Sequence, residues 1–237
     1  MKNFNKILII AFVLLLSCTF LSAPSASAVI PTHYTGLVKA DFDAVYYVID
    51  HYRFTYPQDK YFFTWREDFS EVTQVSNEEL ANIPMVNNIL VRPGTKFVKI
   101  QSIPTVYAVG RDGMLYPIVS EGVAEQMFGE NWSNNVIDIQ DSFWFNYIDT
   151  RIELDGNWYP DGFLLKTADS DDIYIIWEDE KRLFTSSHAF EINRFNHDYV
   201  YTTSQVILDS YGNGPDIIGI EDDFTIDSQS AEIPSTQ

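Results

Sequence analysis

A threefold internal repeat constrains the fold of this chain more than any other feature of its sequence. Each copy opens with a short stretch that runs from a glycine to a lysine, and a tyrosine preceded by an apolar residue follows seven or eight positions later. The openings are residues 36–39, 94–99 and 162–166, and the tyrosines are Tyr46, Tyr107 and Tyr174. A repeat of this kind predicts one supersecondary unit that is used three times.

Each copy predicts three strands joined by turns, then a short helix and a further extended segment. The apolar-Tyr segments are rich in β-branched and aromatic residues, which favour strands, and polar clusters supply the turns between them. The predicted helices span 61–69, 121–128 and 187–195, and the predicted extended segments span 72–75, 136–139 and 200–203. Ser120 and Ser187 stand where helix caps are expected. A second brief helix is predicted over 77–83, and residues 211–216 resemble the opening of an incomplete fourth copy.

Side-chain alternation in the second strand of each copy predicts which face is buried. In the first copy it places Tyr46 and Val48 on one face and Val45 and Tyr47 on the other. The first face keeps its residue types in all three copies, whereas the second varies. We therefore predict that the repeated face packs inward and that the other is free to vary.

These patterns predict a β-rich α+β fold, in which three imperfect repeats of a short β-meander plus a short helix pack into one domain. A unit of about 60 residues buries too little surface to be stable alone, so the units are expected to share a core. The predicted organisation is a signal peptide over 1–28, a repeat domain over 29–224 and a disordered polar tail over 225–237. The units within the domain are 36–90, 91–159 and 160–215, here called units 1, 2 and 3.

The N-terminus predicts export from the cytoplasm. Lys2 and Lys6 precede an apolar run over 7–16, and the small residues that follow end at Ala28. This arrangement is typical of a secretory signal peptide cleaved after Ala28. Cleavage before Cys18, as in a lipoprotein, is the alternative. The predicted location is therefore secreted or at the cell envelope.

Composition excludes several classes of function. The formal net charge is -19, from 15 basic and 34 acidic residues, and such a surface repels the phosphates of nucleic acids. The chain has one cysteine, which excludes a disulfide framework or a thiolate zinc cluster. No hydrophobic run after the signal peptide is long enough for a membrane span.

The sequence offers no pattern typical of a catalytic centre. Its four histidines show no metal-binding spacing, and no serine stands in a recognisable nucleophile motif. The acidic turns, at 155–157, 161–162, 169–172 and 221–223, match no twelve-residue calcium loop, although weak calcium association is compatible with so acidic a surface. We predict a protein without catalytic residues or a cofactor, with a hydrolase as a distant alternative.

Three tryptophans are the candidate binding residues. Trp144, Trp158 and Trp177 have no aromatic counterpart in the other units, so we expect them to be the most exposed of the five. Aromatic rings can stack on sugars while carboxylates accept hydrogen bonds from hydroxyl groups. Even so, we favour packing in the core or in a hairpin for all three residues, with sugar stacking as the alternative.

The combination of motifs resembles an uncharacterised family of secreted bacterial surface proteins with G-x-L-V-K and V-Y-x-V repeats. Its elements here include Gly36-Leu37-Val38-Lys39, Val45-Tyr46-Tyr47-Val48 and Val106-Tyr107-Ala108-Val109. Unit 1 departs from the pattern at Asp50-His51, where a glycine is expected. The resemblance implies an extracellular or envelope location and no particular activity.

The leading hypothesis is a structural or interaction role at the cell envelope, with an envelope protein or glycan as partner. A carbohydrate- or peptidoglycan-binding module is the alternative. The sequence leaves the oligomeric state open.

Overall fold

The computed structural model describes residues 34–226. The predicted signal peptide, its two alternative predicted cleavage sites and most of the predicted tail lie outside these residues. The described part contains three five-stranded sheets, one in each predicted unit.

Unit 1 builds its sheet from a three-stranded meander and two later strands. Its elements are β1 (Gly36–Lys39), β2 (Tyr46–Ile49), β3 (Tyr52–Thr55), α1 (Asp59–Trp65), β4 (Thr73–Gln74), α2 (Asn77–Ala81) and β5 (Met85–Asn88). The meander β1-β2-β3 is antiparallel, β4 joins β1 in parallel, and β5 joins β3 in parallel. Each parallel edge strand therefore follows a short helix, as parallel pairing requires a crossover.

Units 2 and 3 repeat this order. The elements of unit 2 are β6 (Phe97–Ile100), β7 (Tyr107–Val109), β8 (Met114–Pro117), α3 (Glu121–Phe128), β9 (Val136–Ile139), α4 (Asp141–Trp144) and β10 (Ile148–Asp149). Those of unit 3 are β11 (Leu164–Thr167), β12 (Tyr174–Trp177), β13 (Glu180–Leu183), α5 (Ser187–Ile192), β14 (Val200–Thr203), α6 (Gln205–Leu208) and β15 (Gly212–Asn213). The strand orders are β4-β1-β2-β3-β5, β9-β6-β7-β8-β10 and β14-β11-β12-β13-β15. The predicted fold class, a β-rich α+β domain of three repeats, is confirmed.

The predicted helices occur in all three units, with some different ends. Helix α3 has the predicted bounds, whereas α1 begins two residues earlier than predicted and ends at Trp65. Ser120 caps α3 by accepting a hydrogen bond from the Val123 amide. The cap of α5 is Ser186 rather than the predicted Ser187, because the Ser186 hydroxyl accepts from the Ala189 amide.

Residues 211–216 do not begin a fourth unit. Gly212 and Asn213 form β15, which pairs with β13 and completes the sheet of unit 3. A further bridge joins Phe184 to Ile217, and Ile217 is fully buried. The similarity to a repeat opening comes from turn residues that here lead into an edge strand.

The repeated face of the second strand packs inward as predicted, with Val48, Val109 and Ile176 buried, but the other face is not left free. Tyr47, Ala108 and Ile175 lie on the face expected to vary, and all three are buried. In unit 2, Ala108 packs with α3 and with residues of unit 3, while Tyr107 packs in a cluster with Tyr61 of unit 1. Neighbouring units therefore cover the face that an isolated meander would expose.

The core is continuous between units. One cluster joins Phe97 and Phe128 of unit 2 to Phe163 and Tyr201 of unit 3. The chain also returns to unit 1 after unit 3, because Ile226 is 2% exposed and packs with Leu37 and other core residues there. The predicted start of the tail at residue 225 is therefore wrong. Its remainder, 227–237, lies outside the described residues.

Candidate binding cleft between the units

The three units meet at a cleft built around Arg92. This residue directly precedes the Pro93-Gly94 turn that opens unit 2, and it is 2% exposed. Its backbone is fixed on both sides: the Arg92 amide donates to Thr64 Oγ1 at 3.1 Å, and the Thr95 hydroxyl donates to the Arg92 carbonyl at 2.6 Å. The local sequence thus places a guanidinium group inside the protein.

The Arg92 side chain connects all three units. It lies over the Phe195 ring of unit 3, 4.0 Å from the ring centre, and 5.2 Å from the centre of a Trp65 ring of unit 1. It also donates hydrogen bonds to the carbonyl oxygens of Asn193 and Arg194, just after α5. Carbonyls at a helix C-terminus carry partial negative charge, which suits a cation. Arg92 therefore fixes the end of α5 to the opening of unit 2.

Two further arginines lie at the cleft and share one carboxylate. Glu71 Oε1 is 2.7 Å from Arg194 Nη1, and Glu71 Oε2 is 3.2 Å from Arg66 Nε. The Arg66 Nε contact falls outside hydrogen-bonding geometry although the atom is buried. The Arg194 and Glu71 side chains are both nearly half exposed. Glu71 thus bridges arginines from units 1 and 3 at a position that solvent reaches.

The cleft has a volume of about 880 Å³. We call it the arginine cleft; residues that define it are Phe63, Arg66, Glu71, Arg92, Arg194 and Phe195. Phe63 is 43% exposed, and its ring centre lies 5.4 Å from that of Phe69, which is also exposed. Aromatic surface and arginine side chains therefore occur side by side at the opening.

The electrostatic environment of Arg92 is positive. Burial, together with the nearby Arg66 and Arg194 guanidinium groups, lowers the pKa of Arg92 to about 9. Arg92 therefore remains charged at neutral pH, in a protein whose overall charge is strongly negative. Buried charges are normally compensated by a partner of opposite sign, and here carbonyl groups and aromatic rings take that place.

The structure does not bring the three candidate tryptophans together. Trp177 is 5% exposed and packs edge-to-face on Phe224, so it lies in the core and is not one of the more exposed tryptophans. Trp144 and Trp158 are half-buried and make edge-to-face contacts with Tyr107 and Tyr116. The three lie in different clusters of the core, and none of them lines the arginine cleft.

The acidic turns have local structural roles. Asp155 accepts hydrogen bonds from the Asn157 amide and side chain, and Asp161 lies 3.7 Å from Arg111. Within residues 34–226, no group of three or more His, Cys, Asp or Glu side chains is placed to hold a metal ion. His197 stacks on Phe190, with the ring centres 4.5 Å apart.

The chain matches no protein-family model, no curated protein and no solved structure. The resemblance to a surface-protein family therefore stays a hypothesis. Across residues 34–226, no helix has the length and apolar character needed to cross a bilayer.

Sequence reasoning missed the arginine cleft because its parts are far apart in the chain. Arg66, Arg92 and Arg194 come from three units, and only the tertiary structure brings them together. One signal was present in the sequence. Only 15 of the 237 residues are basic, and Arg92 stands directly before a turn that opens a repeat.

Proposed function

We propose that this protein is a non-catalytic secreted protein of the cell envelope, and that it acts by binding a partner in the arginine cleft. The observation that carries the proposal is the construction of the cleft. All three repeats contribute to it, and a buried guanidinium group holds them in place. A surface formed only when every unit is in position is well suited to recognition, because its geometry is fixed by the whole domain.

The titratable groups support binding rather than chemistry. Burial raises the pKa of the Asp161 carboxyl group, which lies beside Arg111 and outside the arginine cleft. In the cleft, Glu71 is occupied by two arginines. A general acid or base needs access to a substrate, whereas Asp161 lies outside the cleft and Glu71 is held by two arginines.

The extracellular location rests on the N-terminal sequence. Mass spectrometry of the protein recovered from the medium and envelope of expressing cells tests it. We expect a mature chain that begins at Val29. A chain that begins at a lipid-modified Cys18 supports the envelope location by the alternative route, and a cytoplasmic chain that retains Met1 contradicts the proposal.

Binding can be tested with the chain that begins at Val29 and protein-free cell-wall preparations. We expect saturable co-sedimentation that is lost when Ser70, an exposed residue of the cleft lining, is replaced in Ser70→Trp. The control is Ser102→Trp, which adds the same ring at an exposed position outside the cleft. Absence of binding by the unsubstituted chain, or equal binding by both variants, would contradict the proposed role of the cleft.

A further inference from the structure

We infer that the arginine cleft binds an acidic sugar, with the anionic group held by Arg66 and Arg194 and the sugar ring against Phe63. The inference rests on the proposed function and specifies the ligand of the same site. The shared chemistry is an anionic substituent on a sugar ring, either a carboxylate or a phosphate ester.

Three arginine side chains converge in the cleft. Arg66, Arg92 and Arg194 all line it, and Glu71 pairs with Arg66 and Arg194. The charged groups that lower the pKa of Arg92 are both arginines. A carboxylate or phosphate that enters beside these guanidinium groups can accept hydrogen bonds from them, and arginine binds such groups in a bidentate manner.

Arg66 and Arg194 are the arginines available to a ligand. Arg92 directs donors at the Asn193 and Arg194 carbonyls and holds the fold together. Arg194 is nearly half exposed and makes its ion pair through Nη1. Arg66 Nη1 donates to the Trp65 carbonyl at 2.9 Å, but Arg66 Nε is a buried donor without a well-directed hydrogen bond, although Glu71 lies 3.2 Å away. Glu71 thus occupies the position that an external anion would take.

The rest of the lining suits a sugar rather than a polyanion. Three further acids, Glu67, Asp68 and Glu191, line the cleft and are exposed. They repel a ligand with many negative charges, but they accept hydrogen bonds from hydroxyl groups. Phe63 lines the cleft together with Arg66 and is exposed, and C–H groups on one face of a sugar can pack on such a ring. One anionic group, several hydroxyls and an apolar face together describe an acidic sugar.

Titration calorimetry with matched sugars tests the inference. The probes are N-acetylmuramic acid and glucuronic acid as carboxylates, glucose 6-phosphate as a phosphate ester, and N-acetylglucosamine and glucose as neutral counterparts. We expect at least tenfold tighter binding of an acidic sugar than of its neutral counterpart. The two acidic arms distinguish a carboxylate ligand from a phosphate ligand. Equal affinity for acidic and neutral sugars, or binding of none of them, would overturn the inference.

Single substitutions identify the residues. Arg66→Gln and Arg194→Gln should each weaken binding of the acidic sugar by tenfold or more, whereas Arg151→Gln, at an exposed arginine outside the cleft, should leave it unchanged. Glu71→Gln should strengthen binding severalfold, because the internal competitor loses its charge. If Glu71 only positions the arginines, Glu71→Gln should instead weaken binding. Unchanged or weaker binding by a folded Glu71→Gln protein therefore counts against the inference.

The outcomes separate this inference from the proposed function. Saturable binding to cell walls through the cleft, without preference for acidic sugars, overturns the ligand assignment and leaves the binding role intact. If the unsubstituted chain does not bind cell walls, both the binding role and the ligand assignment are contradicted. Thermal unfolding of each variant shows that a lost affinity reflects the site and not the fold.

Discussion

The backbone of Gly94 lies directly against the backbone of Gly162. A methyl group on Gly94 would stand 2.2 Å from the Gly162 carbonyl oxygen, and one on Gly162 would stand 2.3 Å from Pro93 Cβ. Both residues also have positive φ, at 70° and 97°. The turns that open units 2 and 3 therefore pack against each other, and glycine is required at both for steric and conformational reasons.

Gly94→Ala should therefore destabilise the protein by at least about 2 kcal/mol, because left-handed strain and overpacking add. Gly129→Ala is the matched control: Gly129 has φ 85° but no atom within 4 Å of the added methyl group, so only the strain of about 1–3 kcal/mol applies. Gly219→Ala, at an open position without positive φ, should change stability by less than about 0.5 kcal/mol. Urea unfolding measures the loss of stability in all three variants. If Gly94→Ala loses no more stability than Gly129→Ala, the two turns move apart freely.

Ile226→Ala should destabilise the protein by about 2–5 kcal/mol, the range for emptying a buried isoleucine site. Ile226 packs in the core of unit 1 although it follows unit 3. Ile220→Ala is the control, since Ile220 is 71% exposed and should change stability by less than about 0.5 kcal/mol. If the two variants unfold at the same urea concentration, the C-terminal segment does not close the domain as the structure shows.

Tyr107→Ala should lower the free energy of unfolding by roughly 3–5 kcal/mol, as expected for the loss of a large aromatic side chain from the core. Tyr107 is buried in the cluster that joins units 1 and 2 and contacts Trp144 edge-to-face. Phe145→Ala removes a ring that is 87% exposed and should have almost no effect on urea unfolding. A Tyr107→Ala cost below about 1 kcal/mol would show that this face of the sheet is accessible to water.

Asp161 should make stability depend on pH in the opposite direction to Asp155. Burial raises the pKa of Asp161, against hydrogen bonds from the Glu178 and Asp179 backbone and the charge of Arg111. The folded protein thus holds this proton to a higher pH than the unfolded chain, and ionisation costs stability as pH rises from the unfolded pKa through the folded pKa. The free energy of unfolding of Asp161→Asn, relative to that of the unsubstituted protein, should therefore increase as the pH rises from about 3 to about 7, the ordinary carboxyl range.

The Asp155 comparison supplies the control for that pH experiment. Hydrogen bonds from Asn157 lower the pKa of Asp155, so its ionised form stabilises the fold above the unfolded pKa, and this contribution is lost as pH falls through the folded pKa. The free energy of unfolding of Asp155→Asn, relative to that of the unsubstituted protein, should therefore decrease as the pH rises. Urea midpoints across this range measure both trends, and parallel pH curves for the two variants would contradict the assigned environments.

Several features of the fold were predictable because they depend on local sequence. The meander strands follow from apolar and aromatic residues separated by turn residues, and α3 follows from the Ser120 cap and the Gly129 end. The turn of unit 1 shows the limit of such reasoning. Asp50 and His51 both adopt positive φ, as Glu178 and Asp179 do in unit 3, so a tight hairpin forms without the expected glycine.

The sequence by itself determined the threefold repeat, the strand-helix order within each unit and the acidic character of the chain, because these depend on neighbours within a few residues. The tertiary structure decided which sheet faces are buried, where Ile226 packs and which cations meet. The physical reason is the distance in sequence between the partners. Arg66, Arg92 and Arg194 carry no local sign that they belong together, and only the packing of three units places them at one cleft.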